Sequence, residues 1–139
     1  VSGRVENRNQ LIEYLASGCK LKSDWRIGTE HEKFGYCKKT LLPIPYSGKR
    51  SILAILKGLE NEYGWKPVKE KNNTIGLSKN GANVSLEPGG ALELSGAQLK
   101  TVFQTCDEVN EHLLEVKYIA DKLNIGFIGL GAAPPLEAR

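Results

Sequence analysis

Methionine is absent from this chain of 139 residues, histidine occurs twice, and aromatics make up only 7%. Cysteine is nearly as sparse. Cys19, Cys37 and Cys106 are widely separated, and no Cys-x-x-Cys pair exists, which argues against a zinc framework. An odd count of this kind points to free thiols in a reducing compartment. No apolar run approaches the roughly 18 residues that a membrane-crossing helix needs. The opening residues, VSGRVENRNQ, hold no apolar segment of the signal-peptide type. Dense positive charge is missing too. The formal net charge is +3, and the basic pairs (Lys20 and Lys22, Lys38 and Lys39, Lys49 and Arg50, Lys69 and Lys71) are scattered. No stripe forms that would track a phosphate backbone. The chain starts at Val1 and stops at GAAPPLEAR, and it is expected to be a piece of something longer.

What is present is an ordinary globular composition, 40% hydrophobic and 25% charged. One domain of this size buries about two-thirds of its surface on folding, enough for a core without staples. Residues 6–17 read as a helix with Leu11, Ile12 and Leu15 on one side and Gly18 as its stop. Residues 25–37, WRIGTEHEKFGYC, read as a strand bent at Gly28 or Gly35 and ended by Pro43 and Pro45. Ser47 or Ser51 caps a second helix, whose apolar face carries Ile52, Ile55, Leu56, Leu59 and Tyr63 and which ends near Gly64. Three short alternating segments follow, WKPVKE, TIGLSK and ANVSLE. Asn80-Gly81 between the last two signals a two-residue type I′ hairpin. The segment ALELS is a further strand. Residues 98–124 form the longest helical pattern, and IGFIGLG reads as a closing strand. Antiparallel hairpins with covering helices define an α+β domain.

The stretch NVSLEPGGALELSG carries Glu87 and Glu93 on either side of a Pro-Gly-Gly break. If the chain reverses at Gly90, the two carboxylates come roughly opposite one another. In GTEHEKF, Glu30 and Glu32 project to one face and His31 to the other, because strand side chains alternate. Four carboxylates on two strand segments could therefore meet on one sheet face. Their mutual repulsion gives stability no reason to build that. A hard divalent cation such as Mg²⁺ does, because it takes oxygen ligands and bridges carboxylates to phosphates. A solvated Glu-x-Glu on the wet side of a sheet is the competing reading. His31 reads as half-buried or surface, His112 as a flank residue of the long helix, and Cys106 as a small core residue. The GFIGLG run has no helix pattern after it, so it is a poor phosphate cradle.

WRIGTEHEKFGY together with VSLEPGGALELSGAQLKTVFQTCDEVNEHL resembles the N-terminal part of glutamate–cysteine ligase (γ-glutamylcysteine synthetase), of the type shared by plants and α-proteobacteria. The similarity takes in about residues 8–131. It implies a glutamine synthetase-like core, in which an antiparallel sheet lines a funnel-shaped site. The implied reaction is ATP- and Mg²⁺-dependent, with Mn²⁺ as a substitute. The γ-carboxylate of L-glutamate is phosphorylated, and the amine of L-cysteine attacks the acyl phosphate to give γ-glutamylcysteine, the first step of glutathione biosynthesis. The family's metal-binding acids fall on Glu30, Glu32, Glu87 and Glu93, the same quartet that strand alternation selects.

The resemblance assigns residues 1–139 to the N-terminal part of one catalytic domain, with 132–139 as an atypical tail. It also aligns Cys106 with a cysteine that forms a redox-sensitive disulfide in plant members. A buried helix position predicts an inert thiol instead. The segment PIPYSGKRSILAILKGLENEYGW looks more like bacterial members, so a bacterial cytoplasm is expected first and a plastid second. Two other readings stay open. One is a related carboxylate–amine ligase with another acceptor. The other is a non-catalytic nucleotide- or RNA-binding α+β module, which an acidic sheet face disfavours because RNA sheets present aromatics and basic groups. No nucleic-acid or membrane partner is expected.

Overall fold

The computed structural model describes residues 3–133. Its elements are α1 (Arg8–Ala16), β1 (Glu30–Cys37), α2 (Ile52–Tyr63), β2 (Lys66–Glu70), β3 (Asn73–Lys79), β4 (Ala82–Glu87), β5 (Ala91–Ser95), α3 (Val102–Leu123) and β6 (Ile125–Ile128). The six strands form one sheet in the order β2-β3-β4-β5-β1-β6, and every neighbouring pair is antiparallel. The α+β expectation holds. Residues 134–139, most of the expected tail, lie outside the described residues.

The sheet is built outward from two hairpins. Asn80 and Gly81 take φ of 52° and 87°, the doubly left-handed turn that the Asn-Gly pair calls for. The second reversal, between β4 and β5, spends three residues, Pro88 to Gly90, on one 3-10 turn, and both glycines take φ near 80°. Insertion of β1 between β5 and β6 then completes the order. The strand expected over residues 25–37 is shorter than that. Only Glu30–Cys37 joins the ladder, and Ile27 makes a single bridge to Leu99.

Helices α2 and α3 cover one face of the sheet. Ile52, Ile55, Leu56 and Leu59 of α2 are buried against Leu77, Val84, Leu92, Leu94 and Ile125 from the strands. Each such side chain is worth about 1.5–3 kcal/mol of transfer free energy. The two helices touch at Gly58, where an added Cβ would lie 2.5 Å from Ile119 Cγ2, so a side chain there would push the helices apart. Gly64 stops α2 in the left-handed conformation at φ 71°.

Two helix readings need correction. The first helix forms, but Leu11, Ile12, Tyr14 and Leu15 are all exposed, and Gly18 takes no left-handed conformation. The long helix starts at Val102 rather than Gln98, because Thr101 and Gln104 form a reciprocal capping box there. Its buried positions are His112, Glu115, Val116, Ile119 and Ala120. Val102, Phe103 and Cys106 on the first turns stand clear of sheet and helix, since the apolar stripe is longer than the surface that covers it.

Ser51 is the cap of α2. Its hydroxyl accepts from the Ala54 amide at 3.1 Å and donates to the Gly48 carbonyl at 2.8 Å, and the residue is fully buried. Ser51→Ala is expected to lower unfolding free energy by about 1–2 kcal/mol. Urea denaturation is expected to show this as a lower midpoint with an unchanged slope; an unchanged midpoint would contradict the cap assignment.

Candidate functional site

The face opposite the helices carries the acids. Glu32 on β1 pairs in register with Glu93 on β5, and Glu30 pairs with Ser95. On the other side of β5, Ser85 pairs with Glu93 and Glu87 with Ala91. Alternation then puts Glu30, Glu32, Ser85, Glu87, Glu93 and Ser95 on one face. The expected opposition of Glu87 and Glu93 is corrected. The turn at Pro88–Gly90 centres on Gly89, so the ladder closes on Glu87 and Ala91, and Glu87 reaches Glu93 only along the diagonal. The carboxylate directly across from Glu93 is Glu32.

Two hydroxyls dress this face. Ser95 Oγ donates to Glu93 Oε1 at 2.7 Å, and Ser85 Oγ donates to Glu87 Oε1 at 3.2 Å. Gly129, Leu130 and Gly131 border Glu30 and Glu32 in a shallow concavity of about 570 Å³. Directly opposed like charges are unfavourable in a strand pair. The donors are hard carboxylate oxygens, the class a Mg²⁺ ion takes. Among the described residues, no three His, Cys, Asp or Glu side chains converge closely enough to hold a metal ion. The fold brings the quartet to one face, with Glu32 and Glu93 as its facing pair, and does not gather it into a finished cage.

Behind the acids, between sheet and α3, lies a buried polar layer. Lys33 is only 1% exposed, and its Nζ donates to the carbonyls of His31 at 3.2 Å and Leu92 at 3.4 Å. Burial lowers its pKa to about 8, against the pull of Glu93, which raises it. His112 is 2% exposed, and neither ring nitrogen has a partner. Burial, followed by the charge of Lys33 and the neighbouring His31 and Lys79, lowers its pKa to about 3. Glu115 accepts from Trp65 Nε1 at 2.7 Å and from Lys79 Nζ at 2.8 Å. Glu108 accepts from the Ala97 amide at 2.9 Å.

The family model for Glutamate-cysteine ligase family 2 (GCS2) matches residues 26–139, a span that contains all four glutamates. The chain belongs to this family. It is similar to glutamate--cysteine ligase A, chloroplastic, of Oryza sativa subsp. japonica, with 51% identity over 127 residues, covering 91% of this chain and 25% of that protein. The chloroplastic glutamate--cysteine ligase of Medicago truncatula is 49% identical over 132 residues, covering 95% and 25%. That of Nicotiana tabacum is 50% identical over 134 residues, covering 96% and 25%. The chain thus spans about a quarter of the length of these relatives.

Within this ligase-family segment, two expectations fail on burial. Cys106 is exposed, so the argument for an inert core thiol falls away: α3 runs past the sheet at that point. His112 is buried rather than flanking, because the covered stripe of α3 passes through residues 112, 116, 119 and 120. His31 is half-buried as expected. Lys33 went unnoticed among the candidates. Its signal was present in strand parity, which sets it on the face of His31 and the apolar residues.

Burial of neutral His112 makes stability depend on pH. The unfolded chain takes up the proton near pH 6.5, whereas the folded chain resists it down to about pH 3. Stability from this group is full above pH 6.5 and is lost as pH falls toward 3, at up to about 1.4 kcal/mol per pH unit. His112→Leu is expected to flatten the dependence between pH 6.5 and 4.5 in urea titrations. An equal slope in variant and wild type would show that other groups carry it.

Proposed function

We propose that the complete protein carrying this segment joins L-glutamate to L-cysteine, giving γ-glutamylcysteine, the first step of glutathione biosynthesis. The observation that carries this reading is the Glu32–Glu93 pair, facing across β1 and β5 on an open sheet face within a segment of the glutamate–cysteine ligase family. ATP is the energy source. Its γ-phosphoryl group passes to the γ-carboxylate oxygen of glutamate, leaving ADP. The cysteine amine then attacks the acyl carbon, a proton leaves the nitrogen, and inorganic phosphate departs.

Glu30, Glu32, Glu87 and Glu93 would hold Mg²⁺, or Mn²⁺ in its place. Bound there, the cation would supply neutralisation of the phosphate charge. The chain's own contribution is geometric. Antiparallel pairing sets Glu32 against Glu93, and the hydroxyls of Ser95 and Ser85 turn the carboxylates of Glu93 and Glu87 along the face. An acidic face of this kind repels a nucleic-acid backbone, which speaks against an RNA-binding module. The relatives named above are chloroplastic by name, and they favour a plastid over a bacterial cytoplasm.

In the full-length protein, Glu93→Gln is expected to lower kcat by at least about 100-fold. The thermal midpoint is expected to stay close to wild type, because one carboxylate repulsion is removed with the ligand. Activity within a few-fold of wild type would remove Glu93 from the site. ADP release with Mg²⁺, ATP and L-glutamate should rise strongly on adding L-cysteine. Turnover indifferent to cysteine would indicate a related ligase with another acceptor amine.

A further inference from the structure

A helix of 9 residues is marginal in water by itself, and α1 is such a helix. Its sequence specifies it locally. Asn7 caps it by accepting from the Gln10 amide at 3.1 Å, and the Gln10 side chain accepts from the Glu6 amide at 2.7 Å. Yet α1 buries none of its residues, and Leu11, Ile12 and Leu15 form an exposed apolar side. Every residue from Gly3 to Gly28 is exposed, Leu21 and Trp25 included. The arm returns to the sheet at Ile27, which exchanges backbone hydrogen bonds of 2.7 and 2.9 Å with Leu99. Tertiary packing is what normally stabilises a short amphipathic helix. The described residues do not supply it here.

Similarity to the Nicotiana tabacum ligase runs over 134 residues, 96% of this chain, and a stretch of that length cannot leave α1 out. The same match covers 25% of that protein, so most of a chain of this kind lies outside the segment. Cover from that remainder is intramolecular. Covalent linkage sets its effective concentration, and the cost of immobilising a second molecule is avoided. Three aliphatic side chains on one short helix are too little for a stable dimer, which buries roughly 800 Å² on each side. Within one chain they are enough to dock a helix.

We propose that α1 is an intramolecular clasp: Leu11, Ile12 and Leu15 dock on an apolar surface of the same polypeptide outside this segment, and the helix takes its stability from that contact. The clasp is independent of the acid face and of any ion bound there.

The test uses the full-length protein. Hydrogen–deuterium exchange is expected to show the amides of α1 exchanging at least about 100-fold more slowly than an unstructured chain. Exchange at the unstructured rate overturns the proposal. The double variant Ile12→Gln, Leu15→Gln keeps good helix formers in place. It is expected to lose that protection and to speed exchange in a peptide outside this segment; effects confined to the segment overturn the proposal. Cross-linking through Lys20 and Lys22, in unlabelled and nitrogen-15-labelled protein mixed after subunit exchange, separates the chain's own remainder from a second copy. Links from the arm to regions outside the segment, within one isotope form, are expected. Links that join the two forms overturn the proposal in favour of a second copy. Wild-type cross-links decide the matter if the double variant does not fold.

Discussion

Two carboxylates, Glu32 and Glu93, face each other across the β1–β5 strand pair, and most of the architecture is arranged around that placement. Antiparallel pairing holds these residues, 61 positions apart in sequence, directly opposite one another. It needs β5 to be brought back against β4 by a tight reversal, and then β1 to be added on its far side. The Pro88–Gly90 turn does the first. The backbone ladder running from Glu30 and Ser95 to Phe34 and Ala91 does the second.

The sheet is therefore two-faced by construction. Its rear is sealed by α2 and α3 with Ile55, Leu56, Leu59, Val116 and Ile119, and this seal anchors the strands. Its front carries the acids, with Phe34 and Ala91 buried at one end of the same face. Strand alternation links the two, since each residue that strengthens the rear fixes which neighbour points forward. A slip of one residue would bury the acids and expose the leucines. The core thus enforces the site's register.

Where the rear is not purely apolar, the exceptions are concentrated. Lys33, His112, Glu115, Lys79 and Trp65 meet between the sheet and α3. Trp65, Lys79 and Glu115 satisfy one another. Lys33 and His112 do not, and the imidazole answers burial by remaining neutral while the ammonium takes carbonyl partners. The difference follows from chemistry: a histidine gives up its proton at little cost near neutral pH, and a lysine does not.

Local pattern was enough for much of this. The Asn80-Gly81 hairpin, the cap at Ser51, the stop at Gly64 and the parity of Glu30, Glu32, Glu87 and Glu93 all follow from short-range stereochemistry, and each is present. The family signature around the glutamates was likewise legible as residues in order. What needed the folded molecule was everything set by contact over long separations. These include the pairing of Glu93 with Glu32 rather than Glu87, the burial of His112 and Lys33, and the exposure of Cys106 and of the apolar side of α1. A periodic stripe states which residues share a face but not how much surface arrives to cover it. Coverage and cross-strand partnership are decided only when distant segments pack.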